Sequence, residues 1–287
     1  MNYILMVIGI LLLIVGIFQA FGKRFRQRLL AHPTFSAAEE GSSPPLKFEY
    51  RMDDPRLQQL REKYDLDTIS GDGSEVSKII NLMRWVHGQS RHAANPTIPD
   101  ERNALHLLER CQQENFRLNC YLYAIILNEV YLAMGFPSRI VHLLPMEKEN
   151  KESHFVTSVY SQELERWIMM DPDMRAMAGD EQGNLLGLSE IRRHLVEGRR
   201  LSVNRDIGGF VRFLGKWSYP WYLSKNIFRL QSPLVSAFDM ESQRTGRTYV
   251  DLLPDGFNPE KLAEPHTTPG GNTIIAINDE EIFWQTP

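Results

Sequence analysis

Cys120, His154 and Asp171 are the residues of this chain whose types and order could do covalent chemistry. A thiol is the strongest common side-chain nucleophile once deprotonated, a histidine can take its proton and return it to a leaving group, and a carboxylate can fix the imidazole tautomer. Cys120 opens an apolar stretch, Tyr121 to Met134, that ends at Gly135 with Pro137 two residues on. That pattern predicts a helix with Cys120 in its first turn, where unpaired backbone N–H groups and the positive end of the helix dipole favour a thiolate. Asp173 is the alternative orienting carboxylate, reachable by a different loop register.

The other two residues need strands. Ser153–Tyr160 alternates and is rich in β-branched and aromatic residues, Arg166–Asp171 resumes after the polar break Gln162-Glu163-Leu164-Glu165, and the two predict an antiparallel hairpin. A turn centred between Gln162 and Glu163 places His154 directly opposite Asp171, on the same face of the sheet. Ser138–Leu144, bounded by Pro137 and Pro145, reads as a further strand. Upstream, Ser74 starts a helical pattern that runs to Gln89, and Asn103–Cys111 forms another, with Cys111 on its apolar stripe as a small buried hydrophobe. His87 and His92 lie five apart across a glycine, poor ligand geometry for a metal. Downstream, Gly187–Val196 predicts a short helix and Trp217–Tyr222 an aromatic stretch that either covers a cleft or fills the core. Thr248–Leu253 and Thr273–Ile277 predict strands that extend the sheet.

The chain has 287 residues and a formal net charge of -4, so no basic field favours nucleic acid as a partner. Two cysteines make no disulfide framework. No acidic loop shows Ca²⁺-ligand spacing, and no cofactor or metal site is expected. Residues 1–22 are almost wholly apolar and long enough to cross a bilayer as one helix. No positive charge precedes the run, while Lys23, Arg24, Arg26 and Arg28 follow it, which favours a retained anchor over a signal peptide cleaved near Ala37 or Ala38. Those charges point to the cytoplasmic side for the domain. Residues 23–45 form a basic juxtamembrane segment and a tether, 46–200 the core, and 201–287 an aromatic and β extension of the same domain.

The segments Asn119-Cys120-Tyr121-Leu122-Tyr123-Ala124, Met134-Gly135-Phe136-Pro137-Ser138-Arg139-Ile140-Val141, Ser153-His154-Phe155-Val156 and Trp167-Ile168-Met169-Met170-Asp171-Pro172 resemble the transglutaminase-like superfamily. The resemblance covers about Ser74 to Pro172 and implies an α+β fold of papain-like character, its central helix carrying Cys120 against an antiparallel sheet carrying His154 and Asp171. It implies roles by position: Cys120 as nucleophile, His154 as general base and acid, Asp171 as orienting carboxylate. Val156 stands where relatives often carry Trp, and Asn119 where they often carry a small residue. The Cys120 backbone N–H is the natural first oxyanion donor, with the Gln113 or Asn115 amide as a second. The expected activity is a membrane-anchored thiol acyl transfer on protein or peptide carbonyls, resolved by water or an amine. A non-catalytic binding or assembly module is the alternative, and a cell-envelope peptidase acting on peptidoglycan crosslinks would require the domain outside.

Overall fold

The computed structural model describes residues 6, 9, 23, 25–36, 46–146, 153–204, 206–207, 215–257 and 265–287. The expected anchor at residues 1–22 lies almost wholly outside them. Among the described residues no helix is long and apolar enough to cross a membrane.

After a short strand β1 (Glu49–Tyr50), four helices precede the Cys120 helix and its sheet: α1 (Pro55–Lys63), α2 (Leu66–Ser70), α3 (Glu75–Gly88) and α4 (Ala104–Glu114). Polar residues cap the longer ones, as helix-start chemistry requires: Ser74 accepts from the Ser77 N–H and Asn103 from that of His106. Helix α5 (Cys120–Ala133) is the centre of the molecule, with every residue from Leu122 to Ala133 buried. A helix apolar on all sides must be surrounded. It lies between α1, α3 and α4 on one side and the sheet on the other.

The sheet has seven described strands in the order β10 (His266–Thr267), β11 (Thr273–Ile277), β9 (Thr248–Leu252), β7 (Arg229–Pro233), β2 (Ser138–Leu144), β3 (His154–Ser161), β4 (Arg166–Met170), antiparallel except for the β11–β9 pair. Small pairs β5 (Ala178–Gly179) with β6 (Ser202–Val203), and β1 with β8 (Val235–Ser236), stand apart. The sheet's second face is covered by α6 (Leu188–Glu197), α7 (Gly215–Asn226) and the turn α8 (Glu280–Phe283), which with it enclose a second apolar cluster. The aromatic stretch Trp217–Tyr222 is therefore helical despite Pro220, a residue that argues against helix on sequence grounds. Residues 25–36, part of the juxtamembrane and tether segment on the sequence, pack on this layer. Leu29 is fully buried, Arg26 donates to the carbonyls of Leu195 and Val196 at the end of α6, and Arg192 donates to those of His32 and Pro33. Arg139, on β2, is fully buried within about 5 Å of the Phe48, Trp167, Phe283 and Trp284 rings and donates to the Phe283 carbonyl, tying the C-terminal turn to the sheet.

The hairpin register differs from expectation. Thr157 faces Met170 and Ser161 faces Arg166, so the turn is centred between Glu163 and Leu164, not between Gln162 and Glu163. The reason is the turn itself: residues 162–165 all lie outside the strands, with Glu165 left-handed at φ 51°. Each residue's partner moves by two, which preserves the face every side chain occupies. His154 and Asp171 thus sit diagonally rather than directly opposed, still on one face.

Buried Glu129 on α5 fastens two neighbours, one oxygen accepting from the Ala104 N–H at 2.6 Å and the other from that of Asp239 at 2.8 Å. Burial, with Asp239 and Glu241 nearby, raises its pKa to about 8, although the two N–H groups oppose the shift. A folded pKa above the unfolded value means stability is full at low pH and falls as pH rises towards 8. Denaturant midpoints of the wild type are expected to drop between pH 5 and pH 8. Glu129→Gln should lower the midpoint at pH 5, since one N–H loses its acceptor, and flatten the pH dependence.

Candidate active site

Three elements converge on one point. Asn119 caps α5, its side chain accepting from the Leu122 N–H at 3.1 Å, which makes Cys120 the first helical residue and leaves its own N–H without an intrahelical partner. Asn119 is therefore fixed by capping chemistry, which explains a polar residue where relatives often carry a small one. His154 opens β3 and Asp171 follows β4, both buried, with exposures of 1% and 0%. Cys120 is half-buried.

His154 Nε2 lies 2.7 Å from Asp171 Oδ2. The same oxygen accepts from the Tyr219 hydroxyl at 2.8 Å, and Oδ1 accepts from the Met174 N–H at 3.0 Å. The backbone of Asp171 is paired in both directions with Ala176. An ionised carboxylate can only accept, so the Nε2 hydrogen belongs to His154, and Nδ1 is left for the Cys120 sulfur, which lies within 4.8 Å of the ring. Burial by itself would lower the pKa of His154, but Asp171 beside it raises it well above the usual value. Burial works against the charge of Asp171, and the imidazole, the Met174 N–H and the Tyr219 hydroxyl outweigh it, holding the carboxyl below the usual range. Both directions favour an imidazolium–carboxylate pair.

The arrangement also contains residues the sequence did not single out for it. Helix α7 brings fully buried Tyr219 onto Asp171 and Tyr222 edge-on to the His154 ring, centroids 5.1 Å apart at 76°. Of this stretch, Tyr219 fills the core and Tyr222 packs against the His154 ring. Asp173, 6% exposed, places a carboxylate oxygen within 4.8 Å of ligating atoms of Cys120 and His154, which are as close to each other. His92 Nδ1 lies 2.8 Å from Asp173 Oδ1 and raises the question of why the chain binds this carboxylate so firmly. The segment around His92 is itself fixed: the Ala93 N–H donates to the Leu118 carbonyl at 2.8 Å and His87 Nδ1 contacts the Pro172 carbonyl at 3.0 Å. Nothing in local spacing marks His92, because a loop crossing beside Leu118 creates the contact. Tyr219 and Tyr222 could be found only as part of an unusually aromatic run.

The structure does not bring Gln113 or Asn115 into the site. The Gln113 amide donates to Glu109 on its own helix, and exposed Asn115 ends α4 in the left-handed conformation at φ 52°. The Gln113 amide is thus taken up on its own helix, and of Asn115 it is the backbone N–H that is paired, with the Arg110 carbonyl. Cys111 is buried and free, as its place on the apolar stripe predicts.

Residues 62–172 match the transglutaminase-like superfamily. No curated protein matches the chain. Among solved structures, a provisionally assigned cysteine protease from Cytophaga hutchinsonii is similar at 14% identity and a TM-score of 0.33, over 62% of this chain and 56% of that one. The chain thus spans little more than half the length of that structure.

The hydrogen-bond pattern around Asp171 sets an order of stabilities. Tyr219→Phe, which keeps the ring and removes one bond to a charged acceptor, should cost about 1.5–3 kcal/mol. Asp171→Ala, which strands the buried imidazolium, should cost more, about 3–5 kcal/mol. Chemical denaturation of the two variants checks the order.

Proposed function

We propose that this chain, whose residues 62–172 form a transglutaminase-like core, is a papain-like thiol acyl-transfer enzyme acting on peptide or carboxamide carbonyls. The observation that carries the reading is the buried His154–Asp171 contact at 2.7 Å with the Cys120 sulfur within 4.8 Å of a nitrogen of the same ring. The Cys120 sulfur, its proton passed to His154, attacks the carbonyl carbon. The tetrahedral oxyanion is met by the Cys120 backbone N–H at the positive end of α5. The C–N bond then breaks, His154 delivers its proton to the departing nitrogen, and a thioester remains on Cys120. Water or an amine adds to the thioester, gives up a proton to His154, and expels the thiolate that restores the enzyme, yielding an acid or a new amide. Asp171 keeps Nδ1 turned to the sulfur throughout, and Tyr222 screens the ring from water.

Attachment to a membrane through residues 1–22 belongs to the same proposal. It is supported by the length of the apolar run and by the four cationic residues that follow it, which favour the cytoplasmic side. Residues 25–36 dock on the layer that holds α7, so an anchor there would lead directly to the face that covers the site.

Trapping the acyl intermediate tests the reading. Incubation with a pool of glutamine-containing peptides and peptide amides should leave a mass adduct on Cys120, absent in Cys120→Ala and at least about a hundredfold slower to form in His154→Ala. A folded protein that forms no adduct, or forms one only on Cys111, contradicts the proposal and favours a binding module that keeps the fold without the chemistry.

A further inference from the structure

Asp173 has no task in the acyl-transfer sequence, and its place is costly for it. A carboxylate within 4.8 Å of the nucleophilic sulfur repels the thiolate that the reaction needs. Yet the chain buries it and holds it with His92 at 2.8 Å. The sulfur of Cys120, a ring nitrogen of His154 and a carboxylate oxygen of Asp173, all within 4.8 Å of one another, offer one soft, one intermediate and one hard donor. That set suits Zn²⁺ and its d-block neighbours rather than Ca²⁺ or Mg²⁺, and three protein donors leave a fourth tetrahedral position open. The surroundings fit as well. A metal-binding histidine usually donates its other N–H to a carboxylate, which Asp171 accepts from His154, and ligating carboxylates are themselves hydrogen-bonded, as Asp173 is to His92.

We propose that Cys120, His154 and Asp173 bind a single divalent cation of the Zn²⁺ class, which reversibly blocks the nucleophile. Binding joins sulfur, nitrogen and oxygen to the ion and releases to solvent the one proton that Cys120 and His154 share, with no change of oxidation state. As control of catalysis this rests on the acyl-transfer reading, but the cation site can be measured without it.

The test uses the metal-free full chain with Cys111→Ser, which leaves Cys120 as the single thiol. Cd²⁺ should produce an ultraviolet thiolate-to-metal band that saturates at one equivalent. Zn²⁺ should slow alkylation of Cys120 by iodoacetamide about tenfold or more, with full recovery on adding a chelator. Asp173→Asn should weaken Zn²⁺ protection, measured against its own metal-free rate, by about 10–100-fold in concentration. His92→Ala, which keeps all three donors, should retain the one-equivalent band with weaker affinity. Absence of the band, or protection in Asp173→Asn at the same Zn²⁺ concentration as in the parent, overturns the proposal. If instead the band appears but metal-free Cys120 reacts no faster than a free thiol, the cation site stands and the acyl-transfer reading fails.

Discussion

The contact between His154 and Asp171 is the interaction on which the rest of the site depends. Two groups with charged forms are sealed at 1% and 0% exposure, where each loses most of its hydration. The loss is offset only because no bonding position is wasted: Asp171 accepts from His154, Tyr219 and the Met174 N–H, and its backbone is closed against Ala176. Removing any one partner exposes the cost of burying the others. The pair therefore constrains how the second layer of the molecule, α7 above all, must pack.

In the central helix such tension is confined to buried Glu129. Helix α5 is buried on every side from Leu122 to Ala133, and its only half-exposed residues are those at the start, Cys120 and Tyr121. Apolar burial on this scale holds the helix in place, and its N-terminus brings the thiol within 4.8 Å of His154 at the start of β3. Glu129, on the same helix, holds the α4 start and the Asp239 loop, extending that rigidity sideways. A thiol on a loop would need a ligand to position it, whereas the proposed nucleophile is placed by the fold in advance.

Much of this was legible in the residues because the relevant signals are local. Gly135 and Pro137 end α5 as the sequence predicts, and strand alternation with a polar break identifies the hairpin. Ser138–Leu144 and Thr273–Ile277 form the strands their composition predicts. The register was off by a shift of two, and the same-face argument survived because side-chain orientation depends on parity alone. Contacts made across distant segments were not legible. His92 meets Asp173 only because the chain folds back beside Leu118, Tyr219 meets Asp171 across 48 residues, and the amide of Gln113 is claimed by its own helix. Pro220 hid α7, since a proline inside a helix removes a backbone hydrogen bond and so argues against helix on sequence grounds.

The central claim is that Asp171 acts on Cys120 through His154 and not beside it. A double-mutant cycle on the rate of Cys120 alkylation in metal-free protein tests this most directly, using His154→Gln, Asp171→Asn and the pair together. The account predicts that each single variant slows the reaction and that the double variant is no slower than His154→Gln alone. Independent, multiplying losses would show that the two residues act separately and would contradict it.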